Sequence, residues 1–215
     1  LNIKYDDFIR TTENRHTSVV KEILQKVYNN GDIYFDEYEG LYSISEERFI
    51  TEKEAESGIF KDIKKIKEKN YFFKMSAYQQ KLIEHIKQNP DFILPDYRKN
   101  EVLGFLNKPL NDLCISRPKS RLKWGIELPF DEDYVTYVWF DALINYISSI
   151  GYSNNNEKFR KFWPANIHLI GKDILTTHCV YWPTMLMSIG LDLPKTIFAH
   201  GWWLNKDSKM SKSVG

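Results

Sequence analysis

The chain has 215 residues, of which 42% are hydrophobic and 27% charged, a composition typical of a folded globular protein. Its 30 basic and 29 acidic residues leave a net charge of +1, which excludes a protein that binds nucleic acid through bulk charge alone. The two cysteines, Cys114 and Cys179, are too few for a disulfide scaffold or a cysteine-rich metal knuckle. No apolar run approaches the roughly 18 residues that span a bilayer. We therefore expect a protein of a reducing, cytoplasmic compartment with no membrane partner.

The first predicted element is an amphipathic helix. Apolar residues recur every three or four positions from Val19 to Val27, and this spacing predicts a helix over residues 12–30. Thr11 or Thr12 is the expected N-cap, and Gly31 the expected C-cap. The sequence opens in mid-pattern at Leu1, so we expect an interior piece of a longer protein.

A charged region follows this helix. Ile33–Phe35 and Gly40–Ile44 predict two short strands separated by an acidic turn. The lysine-rich stretch over residues 46–70 is typical of a solvated face. Tyr71–Phe73 predicts a buried strand, and the apolar positions over residues 82–86 predict a helix that the pair Asn89-Pro90 ends.

The last hundred residues alternate short apolar strands with helices. Tyr134–Trp139, Asn166–Ile170 and Lys195–Ala199 predict strands, and the first two lead into helices that reach Ile147 and about Ile189. Such alternation predicts an α/β fold with a doubly wound parallel sheet. Ligands of these sheets bind beyond the carboxyl ends of the strands.

The turn at Gly171 to Asp173 lies at one such strand end. A glycine there lets backbone approach a ligand, the following helix N-terminus favours an anion, and the Asp173 carboxylate can accept hydrogen bonds from a ribose diol. The alternative is an ordinary turn in which Asp173 caps its helix, and the local sequence favours that alternative.

Two helices carry aromatic and polar residues at helical spacing. One stripe contains Ile174, His178 and Trp182; the other contains Trp139, Ala142 or Leu143, and Tyr146. Converging stripes of this type form either core or a pocket, and spacing alone leaves both open. The imidazole and the phenol hydroxyl require hydrogen-bond partners if buried, and a pocket of aromatic rings suits an unbranched thioether.

The chain ends in the loop Lys209-Met210-Ser211-Lys212-Ser213. Two lysines in a Ser-rich loop can neutralise a polyphosphate as charge moves onto the leaving group. A solvated basic loop is the alternative, but this loop reads KMSKS, the signature of class I aminoacyl-tRNA synthetases.

The chain resembles the methionyl-tRNA synthetase family, of bacterial and organellar type, over nearly all of its length. The segments that carry the resemblance, in order, are Asp6–Glu13, Tyr71–Ser76, Arg98–Glu101, Ile115–Pro118, Trp124–Ile126, Tyr137–Leu143, His168–Ile174 and the KMSKS loop.

The resemblance implies roles for individual residues. The methionine side chain is expected against Trp139, Ala142, Leu143 (a proline in some members), Tyr146, Ile174, His178 and Trp182. For ATP it implies Gly171 and Asp173 near the ribose, the backbone of Trp203 and Leu204 at adenine, and Lys209 and Lys212 at the triphosphate. Arg117 matches an arginine near the active centre.

The resemblance also implies a domain plan and an activity. Residues 1–33 would end the first half of a Rossmann-type catalytic fold, 34–115 would form an inserted α+β connective domain, and 116–215 would form the second half. The implied reaction joins methionine to tRNA(Met) through methionyl-adenylate, with ATP as substrate, Mg²⁺ on its phosphates and no DNA partner. Because no enzyme nucleophile is needed, the absence of a Ser-His-Asp constellation in the sequence pattern is no objection.

This sequence departs from the family in two places. The HIGH signature, which lies earlier in the family, is absent from this sequence and His16 is no substitute for it, so we expect the isolated chain to be inactive; the anticodon-binding domain of the family is expected after Gly215. Many relatives carry metal-binding cysteine pairs in the insert; here these positions fall at Ser43 and Glu46 and near Phe60 and Ile63, which predicts no structural zinc and no other resident metal.

Two alternatives remain open. One is a class I synthetase for another amino acid, such as leucine, isoleucine, valine or cysteine. The other is a non-catalytic module that binds tRNA or a protein partner through the insert. The sequence does not separate a cytoplasmic protein from an organellar one.

Overall fold

The computed structural model describes residues 4–43, 48–50, 55–56, 62–205 and 208–209. Within them the chain forms a mixed α/β fold with one parallel and several antiparallel sheets. In the described residues no helix is both long and apolar enough to cross a membrane.

Helix α1, Asn14–Asn29, packs its apolar stripe, Val19 to Val27, into the core. The predicted helix over 12–30 begins two residues later than expected, because Glu13, and not Thr11 or Thr12, occupies the N-cap position. The chain leaves α1 through Gly31, whose φ of 77° lies in the left-handed region that glycine adopts without strain. The amides of Gly31 and Asp32 donate to the carbonyls of Tyr28 and Val27, which closes the helix end.

The prediction of two short strands separated by an acidic turn is wrong. Residues Ile33–Ser43 form one continuous strand, β1, which pairs antiparallel with β3, Ile63–Phe73, and with β2, Arg48–Ile50. Glu37 and Glu39 of β1 stand opposite lysines of β3 and form ion pairs with Lys67 and Lys65, so the ladder neutralises charges that suggested a turn. The short strand β5, Leu113–Cys114, completes this four-stranded sheet.

A helical segment connects β3 to β5. A 3₁₀ turn, Met75–Tyr78, leads into α2, Gln79–Gln88, which ends at Asn89 as predicted. The two-residue strand β4, Ile93–Leu94, and helix α3, Asp96–Leu106, follow.

The parallel sheet has the strand order β4-β10-β9, in which β9 is Ile167–Gly171 and β10 is Thr196–His200. Two of its strands are those predicted at Asn166–Ile170 and Lys195–Ala199. The third prediction is wrong: the strand at Tyr134–Trp139 is β8, Asp131–Thr136, which pairs antiparallel with β6, Ser116–Pro118, and β7, Glu127–Leu128. Alternation of strands and helices does not reveal which strand pairs with which.

The helices after β8 and β9 position the candidate site. After β8 come two short helices, α4, Val138–Leu143, and α5, Asn145–Ser148, and then α6, Asn156–Phe162. After β9 the chain forms a 3₁₀ turn, Lys172–Ile174, a π-helical turn, Thr177–Tyr181, and helix α7, Trp182–Ile189. A last pair, β11, Leu204–Asn205, and β12, Ser208–Lys209, follows β10.

Candidate active site

Tyr146, His178 and Trp182 meet in one cluster between α5 and the helical segment after β9. The hydroxyl of Tyr146 lies 2.8 Å from Nε2 of His178, and the two rings meet edge to face at 71°, with 5.6 Å between centroids. The Trp182 ring centroid lies 6.1 Å from that of Tyr146. The two predicted stripes therefore converge at these three side chains.

The hydrogen bonds fix the tautomer of His178. Its Nδ1 lies 3.0 Å from the carbonyl oxygen of Ile174, which only accepts, so Nδ1 carries the proton. Nε2 is then the acceptor of the Tyr146 hydroxyl proton. Burial lowers the pKa of His178 and raises the pKa of Tyr146, so both groups are neutral at physiological pH.

Two further residues of the cluster are absent from the predicted site. The indole Nε1 of Trp182 donates to Nε2 of His168 at 3.2 Å, and the His168 ring lies 4.2 Å from the Tyr146 ring. Trp163 packs edge-on against Trp182 at 6.1 Å. Burial, with a smaller contribution from His178, lowers the pKa of His168 to about 4. A lone histidine at an inward-facing position of a predicted strand was the one sequence signal of this arrangement.

The assumption of a regular helix after Gly171 is wrong. Pro183 has no amide proton to continue an α-helical ladder, and the π-helical turn Thr177–Tyr181 lies directly before it. Ile174, His178 and Trp182 therefore do not form one straight stripe at a period of 3.6 residues. π-helical turns of this kind occur often at functional sites.

The predicted methionine-site residues differ in their accessibility. Four are half-buried and open to a ligand: Trp139, Ala142, Tyr146 and Ile174. His178 is 4% exposed, whereas Leu143 and Trp182 are core residues at 2% and 0%. In the described part of the chain Trp139 makes no ring contact with the cluster. Trp182 thus forms a layer behind Tyr146 and His178.

The predicted nucleotide end of the site lies at the carboxyl edge of β9 and β10. Gly171 has a φ of −75°, and a Cβ placed on it would meet only ordinary contacts, so its backbone conformation does not require glycine. Asp173 lies within the 3₁₀ turn, whose N-cap position is Gly171. The Asp173 carboxylate accepts a hydrogen bond of 2.8 Å from the Trp202 indole, and the Lys172 ammonium lies 3.6 Å above that indole ring.

The remaining predicted ATP residues follow β10. Trp203 and Leu204 are 73% and 60% exposed, with Trp203 edge-on to His200 at 6.4 Å. Lys209 ends strand β12, which places the beginning of the KMSKS loop in a short hairpin. Lys212 lies outside the described residues.

Arg117 is buried on β6. Its guanidinium donates to the carbonyl oxygen of Ser116 at 2.7 Å and to the sulfur of Cys114 at 3.1 Å, and it lies 4.3 Å above the Tyr137 ring. Tyr137 directly precedes α4, so Arg117 is placed to orient the start of the helix that carries Trp139 and Ala142.

The structure describes only part of the inserted region in which we predict no metal site. Ser43 is buried at the end of β1 and Ile63 begins β3, whereas Glu46 and Phe60 lie outside the described residues. Elsewhere, no group of three or more His, Cys, Asp or Glu side chains in the described residues is arranged to hold a metal ion. The absence of zinc stays a prediction.

Comparison with known proteins decides the family. A family model described as "tRNA synthetases class I (M)" matches residues 1–59 and 52–215. The chain belongs to the class I (M) tRNA synthetases. This confirms the family resemblance read from the sequence.

Individual relatives of this family agree. The chain is 53% identical to a methionine--tRNA ligase of Clostridium perfringens and 47% identical to one of Bacillus subtilis, in both cases over 100% of its own length. It covers 34% and 35% of those proteins and so spans about a third of the length of the curated relatives it matches.

Solved structures of the same family confirm the fold class. The crystal structure of Mycobacterium tuberculosis methionyl-tRNA synthetase bound by methionyl-adenylate matches with a TM-score of 0.89 and 46% identity. The match covers 100% of this chain and 43% of that chain. The apo form of the same enzyme matches with a TM-score of 0.85.

Proposed function

We propose that the whole protein to which this chain belongs is a methionine--tRNA ligase. The observation that carries the proposal is the hydrogen-bonded pair of Tyr146 and His178, backed by Trp182, in a chain about half identical to methionine--tRNA ligases along its full length. The methionyl-adenylate bound by a structural relative is the intermediate that this activity requires.

The methionine side chain binds against Tyr146 and His178 in this proposal. An unbranched thioether fills an aromatic-walled pocket, and its sulfur makes favourable contacts with ring edges. The neutral imidazole presents no charge to an apolar ligand. Trp139, Ala142 and Ile174 have free surface to complete the wall, and Leu143 and Trp182 support it from the core.

The nucleotide binds beyond the carboxyl ends of β9 and β10. Asp173 accepts hydrogen bonds from the ribose hydroxyls beside Gly171, the backbone of Trp203 and Leu204 contacts adenine, and the ammonium groups of Lys209 and Lys212 lie against the triphosphate. In the described structure the Trp202 indole donates a hydrogen bond to one carboxylate oxygen of Asp173. A ribose hydroxyl that binds to this oxygen replaces the indole as its donor.

The proposed reaction has two steps. A carboxylate oxygen of methionine attacks the α-phosphorus of ATP, the bond to the β-phosphate oxygen breaks, and pyrophosphate leaves. A terminal ribose hydroxyl of tRNA(Met) then attacks the carbonyl carbon of methionyl-adenylate, and AMP leaves. The protein contributes positioning and charge stabilisation, with the loop lysines at the departing pyrophosphate and Arg117 orienting α4.

Further predictions accompany this proposal. Mg²⁺ is expected on the ATP phosphates, whose oxygens are the kind of ligand that it prefers. We further predict no structural zinc, no DNA partner and a cytoplasmic location, with an organelle as the alternative.

The test is ATP–pyrophosphate exchange by the whole protein with methionine, leucine, isoleucine, valine and cysteine in turn. Exchange that requires methionine supports the proposal, and a preference for any other of these amino acids contradicts it. The isolated 215-residue chain is expected to give no exchange above a blank. If the whole protein binds tRNA in a salt-dependent way but catalyses no pyrophosphate exchange, the non-catalytic alternative is favoured.

A further inference from the structure

His16 lies at the centre of a buried chain of three polar side chains. Its ring is 0% exposed; Nε2 lies 2.6 Å from Oδ1 of Asp141 and Nδ1 lies 2.8 Å from Oγ of Ser148. The Asp141 carboxylate accepts a hydrogen bond from Nε2–H of His16. In the sequence His16 lies more than 120 residues before these partners, but the fold brings the three together. The expectation that the chain lacks a Ser-His-Asp constellation is therefore wrong for the folded protein.

This constellation is closed to a substrate. Asp141 and Ser148 are 9% and 3% exposed, and the serine hydroxyl faces the imidazole of a fully buried residue. A nucleophilic serine must reach a reacting carbonyl, and this one has no free approach. The three residues therefore act on the protein's own structure.

The two partners of His16 lie on the two short helices that carry residues of the proposed methionine site. Asp141 is in α4, beside Ala142 and two residues after Trp139, and Ser148 ends α5, two residues after Tyr146. A single turn residue, Ile144, separates α4 from α5. The hydrogen bonds of His16 to Asp141 and Ser148 attach both short helices to the long helix α1.

The hydrogen bond of 2.8 Å between Tyr146 and His178 depends on this attachment of α4 and α5 to α1. His178 belongs to the segment after β9, and other contacts hold that segment to α1: the Lys26 ammonium and the Asn30 amide donate to the carbonyls of Ile189 and Ser188 on α7. Helix α1 is thus the common support of both walls. A shift of about 1 Å of α5 relative to α7 would break the hydrogen bond.

We infer that His16, together with Asp141 and Ser148, is a positioning residue for methionine binding, which holds α4 and α5, the helices of Trp139, Ala142 and Tyr146, so that Tyr146 keeps its hydrogen bond to His178. The inference rests on the proposed function. Polar core groups of this kind stabilise a protein little compared with well-packed apolar residues, but they select one arrangement of the elements that they join.

The experiment measures KM for methionine, KM for ATP and kcat in pyrophosphate exchange by the whole protein, for wild type, Ser148→Ala and His16→Gln. Ser148→Ala removes the hydrogen bond to His16 and a longer contact of 3.4 Å to the carbonyl oxygen of Asn145, with almost no change in packing, so it decides the question if His16→Gln does not fold. Tyr34→Phe is the control, because it also removes one side-chain hydroxyl with almost no change in packing, and the bond of the Tyr34 hydroxyl to Asp112 is not among the contacts that hold α4, α5 or α7 to α1.

We expect Ser148→Ala to raise KM for methionine about fivefold, the effect of one lost buried hydrogen bond, and His16→Gln to raise it more. KM for ATP and kcat at saturating methionine should stay within about twofold, and Tyr34→Phe should match wild type. A KM for methionine within twofold of wild type in folded Ser148→Ala overturns the inference. Parallel changes in both KM values and kcat also overturn it, because they indicate general structural damage. If wild type itself shows no methionine-dependent exchange, the proposed function has failed instead.

Discussion

The cluster around Tyr146 and the antiparallel ladder of β1 and β3 both place polar groups opposite partners, but in different surroundings. In the cluster Tyr146 is half-buried and His178 and His168 are buried, and their polar atoms make hydrogen bonds of 2.8 to 3.2 Å, with Trp182 as the donor to His168. In the ladder Glu37 pairs with Lys67 and Glu39 with Lys65 at 2.9 and 2.8 Å, on exposed strands.

The difference shows that a buried polar contact affects stability and the position of its side chains more than an exposed one does. A buried donor or acceptor that loses its partner keeps its full desolvation penalty, so the cluster tolerates little movement. An exposed ion pair that is broken exchanges its partner for water and salt, so the ladder depends on backbone pairing and not on its charges. The proposed binding site uses the first kind of contact.

The largest expected effect is at Trp182, the fully buried ring behind the site. Trp182→Ala should destabilise the whole protein by about 3–5 kcal/mol, because it leaves a cavity and removes the donor of His168. Urea unfolding followed by far-ultraviolet circular dichroism measures this. The control is Trp124→Ala, at a ring 69% exposed, which should change the unfolding midpoint very little. Equal effects at the two positions would contradict the distinction between the regions.

The next effect is a pH dependence that originates in His168. Its pKa is about 4 in the folded protein, against an ordinary value of 6.5, so between these values the unfolded chain binds more protons. Stability should therefore fall as the pH drops from about 6.5 to about 4, by about 3 kcal/mol in all. His178, whose pKa burial also lowers, adds to the same trend. Urea midpoints from pH 7.5 to pH 5 should fall less steeply in His168→Asn, and an unchanged slope would refute this account.

A smaller effect is expected at the Tyr146 hydroxyl. Tyr146→Phe leaves Nε2 of His178 without its donor and should cost about 1–2 kcal/mol of stability while raising KM for methionine. Tyr152→Phe is the control, since the half-buried Tyr152 ring packs on Phe159 and its hydroxyl has no hydrogen bond among the described residues. Indistinguishable variants would show that the Tyr146 hydroxyl has no special role.

The smallest effect is expected in the ladder. Lys67→Met removes the partner of Glu37 from an exposed pair and should leave the urea midpoint within measurement error in 0.15 M salt. A clear loss of stability would mean that this surface contact matters as much as the buried ones.

The cluster and the ladder also differ in how well the sequence predicts them. Tyr146 and His178 could be predicted to meet, since both are polar groups on amphipathic stripes that follow strands. His168 and Trp163 could not, because their role depends on packing between elements distant in sequence. The continuous strand β1 was missed because its acidic residues are matched by lysines some thirty positions later. The π-helical turn was missed because helical spacing arguments assume a period of 3.6 residues.

The most direct test of the account is a crystal structure of the whole protein with bound methionine. The account predicts the thioether sulfur within about 5 Å of the Tyr146 ring, beside His178, with the hydrogen bond between these two residues intact. Methionine bound with its side chain away from Tyr146 and His178 would contradict it.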